Sequence, residues 1–355
     1  MLCLDSVTKA TERIEAEIIV VDNNSEDESY ELVDKNFPEV HFIRNTENLG
    51  FSKGNNIGVN QAKGEFLCIL NPDTVVPEDC FIKLIAYYQS LKNPGAIGVQ
   101  LVDGSGEFLQ ESKRNIPTPG VALKKLMGNC SSYYNFKLEK DQKGPTDILV
   151  GAFMFMKTEL YQQIGGFDED YFMYGEDIDL SYRILKAGFQ NYYLGSTQVL
   201  HFKGESTTKD QVYLNRFFNA MYIFYKKHFR NYKTSFKLVK QSLRVTMALE
   251  KMRLRSIKAQ SKEFKELHLV SKNKCLQDKI KARFNPNFSL ASDINSEIED
   301  GFIIMDANQL QYSQCIKIMT DLRSRNNAFR IIPRNYKFMI GSESKYMKGE
   351  VIDLS

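Results

Sequence analysis

The chain has 355 residues, of which 43% are apolar and 26% charged, a balance that excludes a disordered or collagen-like protein and leaves room for about two domains. Lys plus Arg (47) barely exceed Asp plus Glu (44), and a net charge of +3 gives no general basis for nucleic-acid binding. No run approaches roughly 18 consecutive apolar residues, the stretch MLCLDSVTKATERIEAE has neither a basic n-region nor an apolar h-region, and the six cysteines (Cys3, Cys68, Cys80, Cys130, Cys275, Cys315) form no C-x-x-C pair. No membrane span, signal peptide, zinc cluster or disulfide framework is therefore expected, and the cysteine usage fits a reducing, cytoplasmic setting.

From residue 17 strand and helix signals alternate. EIIVVD (17–22) is an apolar, β-branched run without polar alternation, which predicts a strand buried on both faces of a mainly parallel sheet. HFIRN (41–45) and EFLCILNPD (65–73) predict two more strands, separated by the Gly/Asn-rich segment NLGFSKGNNIGVNQAKG (48–64). DCFIKLIAYYQSL (79–91) has helical spacing, GAIGVQLVD (95–103) reads as a strand, and 104–146 is Pro- and Gly-punctuated and reads as loop-rich. Residues 147–189 supply a strand, a short helix, a Gly-Gly turn, an aromatic loop and a helix, and QNYYLGSTQVLHFKGES (190–206) closes the unit. Strands that end in Asp, Asn and Gly place the chemistry at the carboxyl edge of an open α/β sheet.

Between residues 226 and 258, eleven Lys and Arg, from Lys226 and Lys227 to Lys258, face one acid, Glu250, and Phe217, Phe218, Tyr222, Phe224, Tyr225 and Phe229 crowd the preceding turns. Such a stretch is suited to rest on anionic lipid headgroups, a peripheral contact with the membrane. It is equally suited to pack its aromatics on the preceding domain and solvate its charges. The last ninety or so residues read as a small α/β lobe with strands ELHLVS, NFSLAS, GFIIMDA, AFRIIP and YKFMIGS. One intervening helix carries its apolar face on Tyr312, Cys315, Ile316, Met319 and Leu322. After the first of these strands SKNKCLQDKIKARF lacks the glycines of a dinucleotide turn, so docking or structural support is expected of this lobe. The domain reading is 1–210, a helical linker over 211–262, and 263–355.

Three constellations carry chemistry. NPDT (71–74) puts two side-chain oxygens at i and i+2 past a buried strand, a donor type suited to Mg²⁺ or Mn²⁺, with Asp73 the candidate ligand. The tetrapeptide is also an ordinary turn. In GEDIDLSYR (175–183), Glu176 and Asp177 open a helix, where the helix dipole favours carboxylates. Asp179 and Arg183, at i and i+4, read as a structural ion pair. Asp177, two residues away, belongs to a different helix face, which is free to turn to the cleft, and is a candidate general base if burial or a nearby diphosphate charge offsets the dipole. In VLHFKGES (199–206), His201 ends an apolar strand, either completing a metal shell with Asp73 or simply satisfied as a lone histidine.

In their order and spacing VVDNNSEDES, NLGFSKGNNIG, FLCILNPDT, GGFDEDYFMYGEDIDLSYR and VLHFKGES together resemble family 2 glycosyltransferases of the GT-A fold. The rhamnosyltransferase-like bacterial enzymes that build surface polysaccharides are the nearest likeness, over roughly residues 1–230. The resemblance implies a Rossmann-like mixed sheet flanked by helices. It implies a nucleotide-sugar donor, contacted by Asp22 at its base or ribose and by Gly50, Lys53 and Asn55 along the nucleotide and diphosphate. Asn71 and Asp73 take the place of the family's D-x-D metal motif, His201 matches a further metal ligand, Asp177 matches the catalytic base, and Glu176 orients acceptor or base. The implied reaction is metal-dependent, with Mg²⁺ or Mn²⁺, and inverting. It would deliver the sugar to a glycan or lipid-linked acceptor at the inner membrane face.

The resemblance departs from the family at one place. Members open with an apolar strand before the helix matched by CLDSV, and here LCLDSVTKATER follows Met1 directly. Ile18–Val21 is then expected to lack one ladder neighbour, and buried unpaired backbone groups cost on the order of 1–3 kcal/mol each. Either further residues lie upstream in the natural protein, or the chain is a weakened or inactive sugar-nucleotide-binding or scaffold protein of a polysaccharide assembly complex. A nucleotidyltransferase would need a basic glycine-rich loop near the N-terminus, which is not seen.

Overall fold

The computed structural model describes residues 1–202, 211–229, 266–284, 288–290, 298–323, 325–335, 337–342 and 349–354. The helices of the first part are α1 (Leu2–Thr11), α2 (Ser29–Asn36), α3 (Gly50–Gln61), α4 (Cys80–Ser90), α5 (Pro119–Leu126), α6 (Thr158–Ile164), α7 (Glu176–Lys186) and α8 (Gln211–His228). Its strands are β1 (Ile19–Asp22), β2 (His41–Arg44), β3 (Phe66–Leu70), β4 (Thr74–Val75), β5 (Pro94–Val102), β6 (Lys143–Pro145), β7 (Phe153–Lys157) and β8 (Gln190–His201).

The main sheet runs β3-β7-β5-β8-β4, with β6 paired to β8. It is mixed: β5 and β8 are parallel, and the β3–β7, β5–β7, β4–β8 and β6–β8 pairs are antiparallel. Alternation along the central strands shows why both sheet faces are covered. Ile97, Val99, Leu101, Phe153 and Phe155 turn to the face packed by α1 and α4. Ala96, Met154 and Met156 turn to the opposite face, where Val59 of α3 and Leu180 and Ile184 of α7 pack. The expected mixed sheet flanked by helices is thus present.

One expectation from the sequence is corrected. EIIVVD is not buried on both faces: Ile19, Val20 and Val21 are half-buried. Among the described residues β1 is hydrogen-bonded in a ladder only to β2, the two forming a parallel sheet of their own. Partial exposure lets water reach this backbone, which lowers the cost expected of unpaired groups. The 104–146 region is loop-rich, as its prolines and glycines suggest, around the short helix α5 and strand β6. Thr118 Oγ1 caps α5 by accepting the Val121 N–H, and Pro119 takes the first helical turn, where a missing N–H costs nothing.

The aromatics of α8 are part of the core. Phe224 (0% exposed), Tyr225, Ala220 and Met221 pack with Ile148, Tyr171 and Ile178, so of the two readings of this stretch its aromatics follow the packing one. Of the basic run, Lys226 and Lys227 are described, and the positions from Arg230 to Lys258 lie outside the described residues. Among the described residues no helix is long and apolar enough to cross a membrane.

The C-terminal lobe is a separate sheet in the order β10-β9-β11-β12-β13-β14, made of β9 (Glu266–Val270), β10 (Phe288–Leu290), β11 (Gly301–Asp306), β12 (Ala328–Ile332), β13 (Phe338–Gly341) and β14 (Glu350–Asp353), with helices α9 (Lys274–Phe284) and α10 (Tyr312–Asp321). β9 to β12 are parallel, and β13 and β14 are antiparallel. Parts of NFSLAS and YKFMIGS lie outside the described residues. The lobe shares a core with the first part. Ile303, Met305, Tyr312, Ile316, Met319 and Phe329 pack with Leu2, Val75, Val102, Leu200 and Phe202. Its docking therefore braces β4 and the end of β8.

Candidate active site

β3 ends at Leu70, and the turn that follows is closed by the Thr74 hydroxyl and N–H, which both donate to the Asn71 carbonyl (2.7 and 3.3 Å). β4 then pairs with β8 in a register that sets Thr74 opposite His201, and the Phe202 N–H donates to the Asp73 carbonyl at 2.9 Å. The ladder brings two side chains far apart in sequence into contact: His201 Nε2 lies 3.2 Å from Asp73 Oδ1, and their side chains are only 10% and 6% exposed. Asn71 Oδ1 and Asp73 Oδ1 are buried and accept no hydrogen bond. Buried oxygens without donors are costly unless something electropositive meets them, so this donor set of two hard oxygens and an imidazole fits a divalent cation. Among the described residues no cluster of three or more His, Cys, Asp or Glu forms a complete shell.

Helix α7 opens at Gly175, whose φ of +81° glycine alone adopts without strain. Asp177, in its first turn, has its carboxylate fixed from three directions. Oδ2 accepts Arg114 Nη2 at 2.7 Å and the Gly151 N–H at 3.1 Å, and Oδ1 accepts the Ile178 N–H at 2.8 Å. Arg114 also donates to the Leu149 carbonyl. Burial works against the charge of Arg114, but Asp177 outweighs it and the guanidinium stays firmly protonated. Glu176 differs. It is 6% exposed, its Oε2 has no partner, and burial, then the neighbouring Asp177, pushes its carboxyl up to about 8. Asp179 is fully buried and bound at 2.6 Å by both Arg183 Nε and His228 Nε2. Burial alone would raise its pKa, but these partners bring it below the usual carboxylate value. The i, i+4 pair is structural, as the spacing suggested.

The 150–152 loop joins these pieces. The Gly151 N–H holds Asp177, and the next residue's carbonyl, Ala152 O, accepts the Asn71 N–H at 3.0 Å. A β-carbon on Gly151 would stand 3.3 Å from Asp177 Cβ and 3.7 Å from the Phe51 ring, so the start of α3 adjoins the same point. There Gly50 has φ +81°, and a β-carbon on it would meet the Phe172 carbonyl at 2.4 Å, so only glycine fits. Asn23 Nδ2 donates to the Gly50 carbonyl at 2.9 Å, tying the end of β1 to this segment.

Asp73 and His201 therefore meet directly, with Asn71 at the head of the same turn, and Asp177 and the Phe51 ring both adjoin Gly151. Asp22 is buried and accepts the Ser25 N–H at 3.0 Å, with Arg44 3.6 Å away. Asn55 donates back to the Phe51 carbonyl of its own helix at 2.8 Å, and Lys53 is exposed on α3. Sequence reasoning missed Arg114 and the Gly151 N–H. Arg114 stands in the stretch read as loop, and a backbone donor leaves no side-chain signature.

Known proteins similar to this chain are glycosyltransferases. The model of Glycosyl transferase family 2 matches residues 2–165, and that of N-terminal domain of galactosyltransferase matches 134–208. The chain is similar to the N-acetylglucosaminyl-diphospho-decaprenol L-rhamnosyltransferase of Mycobacterium tuberculosis, at 28% identity over 62% of this chain and 78% of that protein. It is 30% identical to the low-salt glycan biosynthesis hexosyltransferase Agl10 of Haloferax volcanii, over 66% of this chain and 78% of the relative. A solved mannosyltransferase of Pyrobaculum calidifontis, in complex with GDP-Man and Mn²⁺, is a more distant likeness, with TM-score 0.45 and 16% identity over 72% of this chain and 71% of that one. On the family model and these sequence relatives, the chain belongs to glycosyl transferase family 2.

Proposed function

We propose that the protein transfers a hexosyl residue from a nucleotide-sugar donor to a hydroxyl of a glycan or lipid-linked acceptor in surface-glycan synthesis, in a metal-dependent, inverting reaction. The observation that carries this reading is the 3.2 Å approach of His201 to the buried Asp73 carboxylate, with the Asn71 oxygen buried without a hydrogen bond in the same turn, one loop away from Asp177. Asn71, Asp73 and His201 would hold Mg²⁺ or Mn²⁺, which when bound neutralises charge on the departing diphosphate. The Gly50 segment and Asp22 line the donor, with Lys53 and Asn55 further along α3. The acceptor oxygen attacks the anomeric carbon as the bond to the diphosphate breaks. The bonding pair leaves with the nucleoside diphosphate, and the hydroxyl proton passes to the Glu176–Asp177 pair, with Asp177 as base. The lipid-linked acceptor is suggested by the mycobacterial relative, whose name specifies a diphospho-decaprenol substrate.

The test is to incubate the protein with a panel of nucleotide sugars and divalent metals and follow nucleoside diphosphate release. Release that depends on donor, metal and acceptor is expected. A second reading is a sugar-nucleotide-binding protein without turnover. It predicts donor binding in the same panel with no release.

A further inference from the structure

Helix α8 engages the loop 168–175 along its length. Lys227 pairs with Asp168 and, at 2.6 Å, with Asp170, and the Arg216 guanidinium lies 4.6 Å over the Phe172 ring. Tyr213 and Phe217, stacked at 6.2 Å, meet Tyr174 edge-on at 5.1 and 6.5 Å. A β-carbon on Gly175 would stand 3.2 Å from Ala220 Cβ.

The backbone under these contacts is unusual. Tyr174 has φ +72° and Gly175 φ +81°, two left-handed residues in succession, and the next residue is Glu176. Glycine accepts this conformation, whereas a tyrosine β-carbon crowds the following carbonyl, so position 174 stays there only because its surroundings hold it. The turn decides where α7 begins. The Asp179 N–H donates to the Gly175 carbonyl at 2.9 Å, the first closing bond of the helix that carries Asp177. On the other side, the Phe172 carbonyl accepts the Phe51 N–H at 2.7 Å, so the same loop reaches the Gly50 segment.

We propose that Tyr174 is a positioning residue and that Tyr213 and Phe217 clamp its ring, fixing the left-handed turn that sets the Glu176–Asp177 pair. The activity arm rests on the proposed reading of that pair as the proton-accepting end of a transferase. The structural arm does not.

The test compares Tyr174→Ala with Tyr174→Gly in the full chain. Both delete the clamped ring, but only glycine keeps the left-handed backbone without penalty. Two quantities are read: hydrogen exchange of the amides over 176–180, and kcat and donor KM for transfer. Alanine is expected to speed exchange and lower kcat by about tenfold, the size of a left-handed penalty, with KM within about twofold, while glycine leaves both within about twofold. Tyr213→Leu with Phe217→Leu should reproduce the alanine result, and adding Tyr174→Gly to that pair should restore it. If neither quantity separates alanine from glycine at 174, or if glycine worsens the leucine pair, the clamp is overturned. If the unmodified chain transfers no sugar with any donor, the functional reading fails while exchange still decides the clamp. Should the leucine pair not fold, the 174 comparison decides it by itself.

Discussion

Arg114 and Asp177 form a buried ion pair at 2.7 Å, with side chains 8% and 12% exposed. The pair links a residue of the 104–146 region to the first turn of α7. Arg114→Ala would leave a buried carboxylate with only backbone donors, and breaking one side of such a pair costs about 3–5 kcal/mol. A fall of that order in denaturant stability is expected. Arg114→Lys should recover only part of it, because the lysine ammonium is a point charge on a flexible stem and lacks the planar guanidinium that aims Nη2 at both Asp177 and the Leu149 carbonyl. Arg114→Met with Asp177→Leu should lose less stability than Arg114→Ala alone, since no charge is left behind, yet lose transfer altogether. Equal stability of all three variants and the unmodified chain would show that the pair contributes nothing.

Glu176 gives a pH dependence of defined sign. Its carboxyl is pushed up from the ordinary 4.5 to about 8 by burial and then by Asp177, so between these values the folded state holds a proton that the unfolded state has released. Stability contributed by this group is complete below about 4.5 and is lost as pH rises through about 8. Glu176→Gln, which cannot ionise, should flatten the fall of Tm across this window and make the variant relatively more stable at the alkaline end. Parallel Tm curves for the two proteins would mean that Glu176 ionises normally.

The fold was legible in the sequence where apolar periodicity was strong. β3, β5, β7 and the α7 helix follow their patterns, and Asp73 and His201 stand together as the order of motifs implied. Side-chain partners across long separations were not legible. Nothing near Arg114 in sequence points to Asp177, and the Gly151 N–H that shares the same carboxylate is a backbone group. EIIVVD misled because an apolar run reports what a strand is able to bury, not which neighbours it has. The left-handed Tyr174 carries no glycine or asparagine to announce it.

The Asn71–Asp73–His201 set should respond to metal differently with and without its carboxylate. For the unmodified chain, Mn²⁺ at about 100 times its dissociation constant should raise stability by about 2.7 kcal/mol. Asp73→Asn removes the negative charge of the buried carboxylate beside His201, so the Mn²⁺-induced rise should largely vanish. His201→Ala should weaken the Mn²⁺ response by at least about tenfold in dissociation constant, as loss of one ligand does. Calorimetric titration checks both, and an undiminished Mn²⁺ response in Asp73→Asn would remove Asp73 from the cation site.

Asp5 joins the two lobes. Its carboxylate accepts the Tyr312 hydroxyl and the Arg334 guanidinium, at 2.8 Å from Nη2 and 3.1 Å from Nε. From the same helix Ser6 Oγ accepts the Val76 N–H at 3.1 Å, and Cys3 Sγ lies 3.7 Å from the Asn71 carbonyl. Arg334 is 27% exposed, so water compensates part of its loss, and Asp5→Ala is expected to cost about 2–4 kcal/mol, below or within the range for a fully buried pair. Tyr312→Phe should cost about 1.5–3 kcal/mol, the worth of a hydrogen bond to a charged group. The double variant should lose less than the sum, because both substitutions remove the same contact. Since Leu2, Val75 and Phe202 share one core with Ile303, Met305 and Phe329, the unmodified chain should unfold in one transition by fluorescence and by far-UV circular dichroism. Two separated transitions would show that the C-terminal lobe folds without support from α1, and the brace on the cation turn would lose its physical basis.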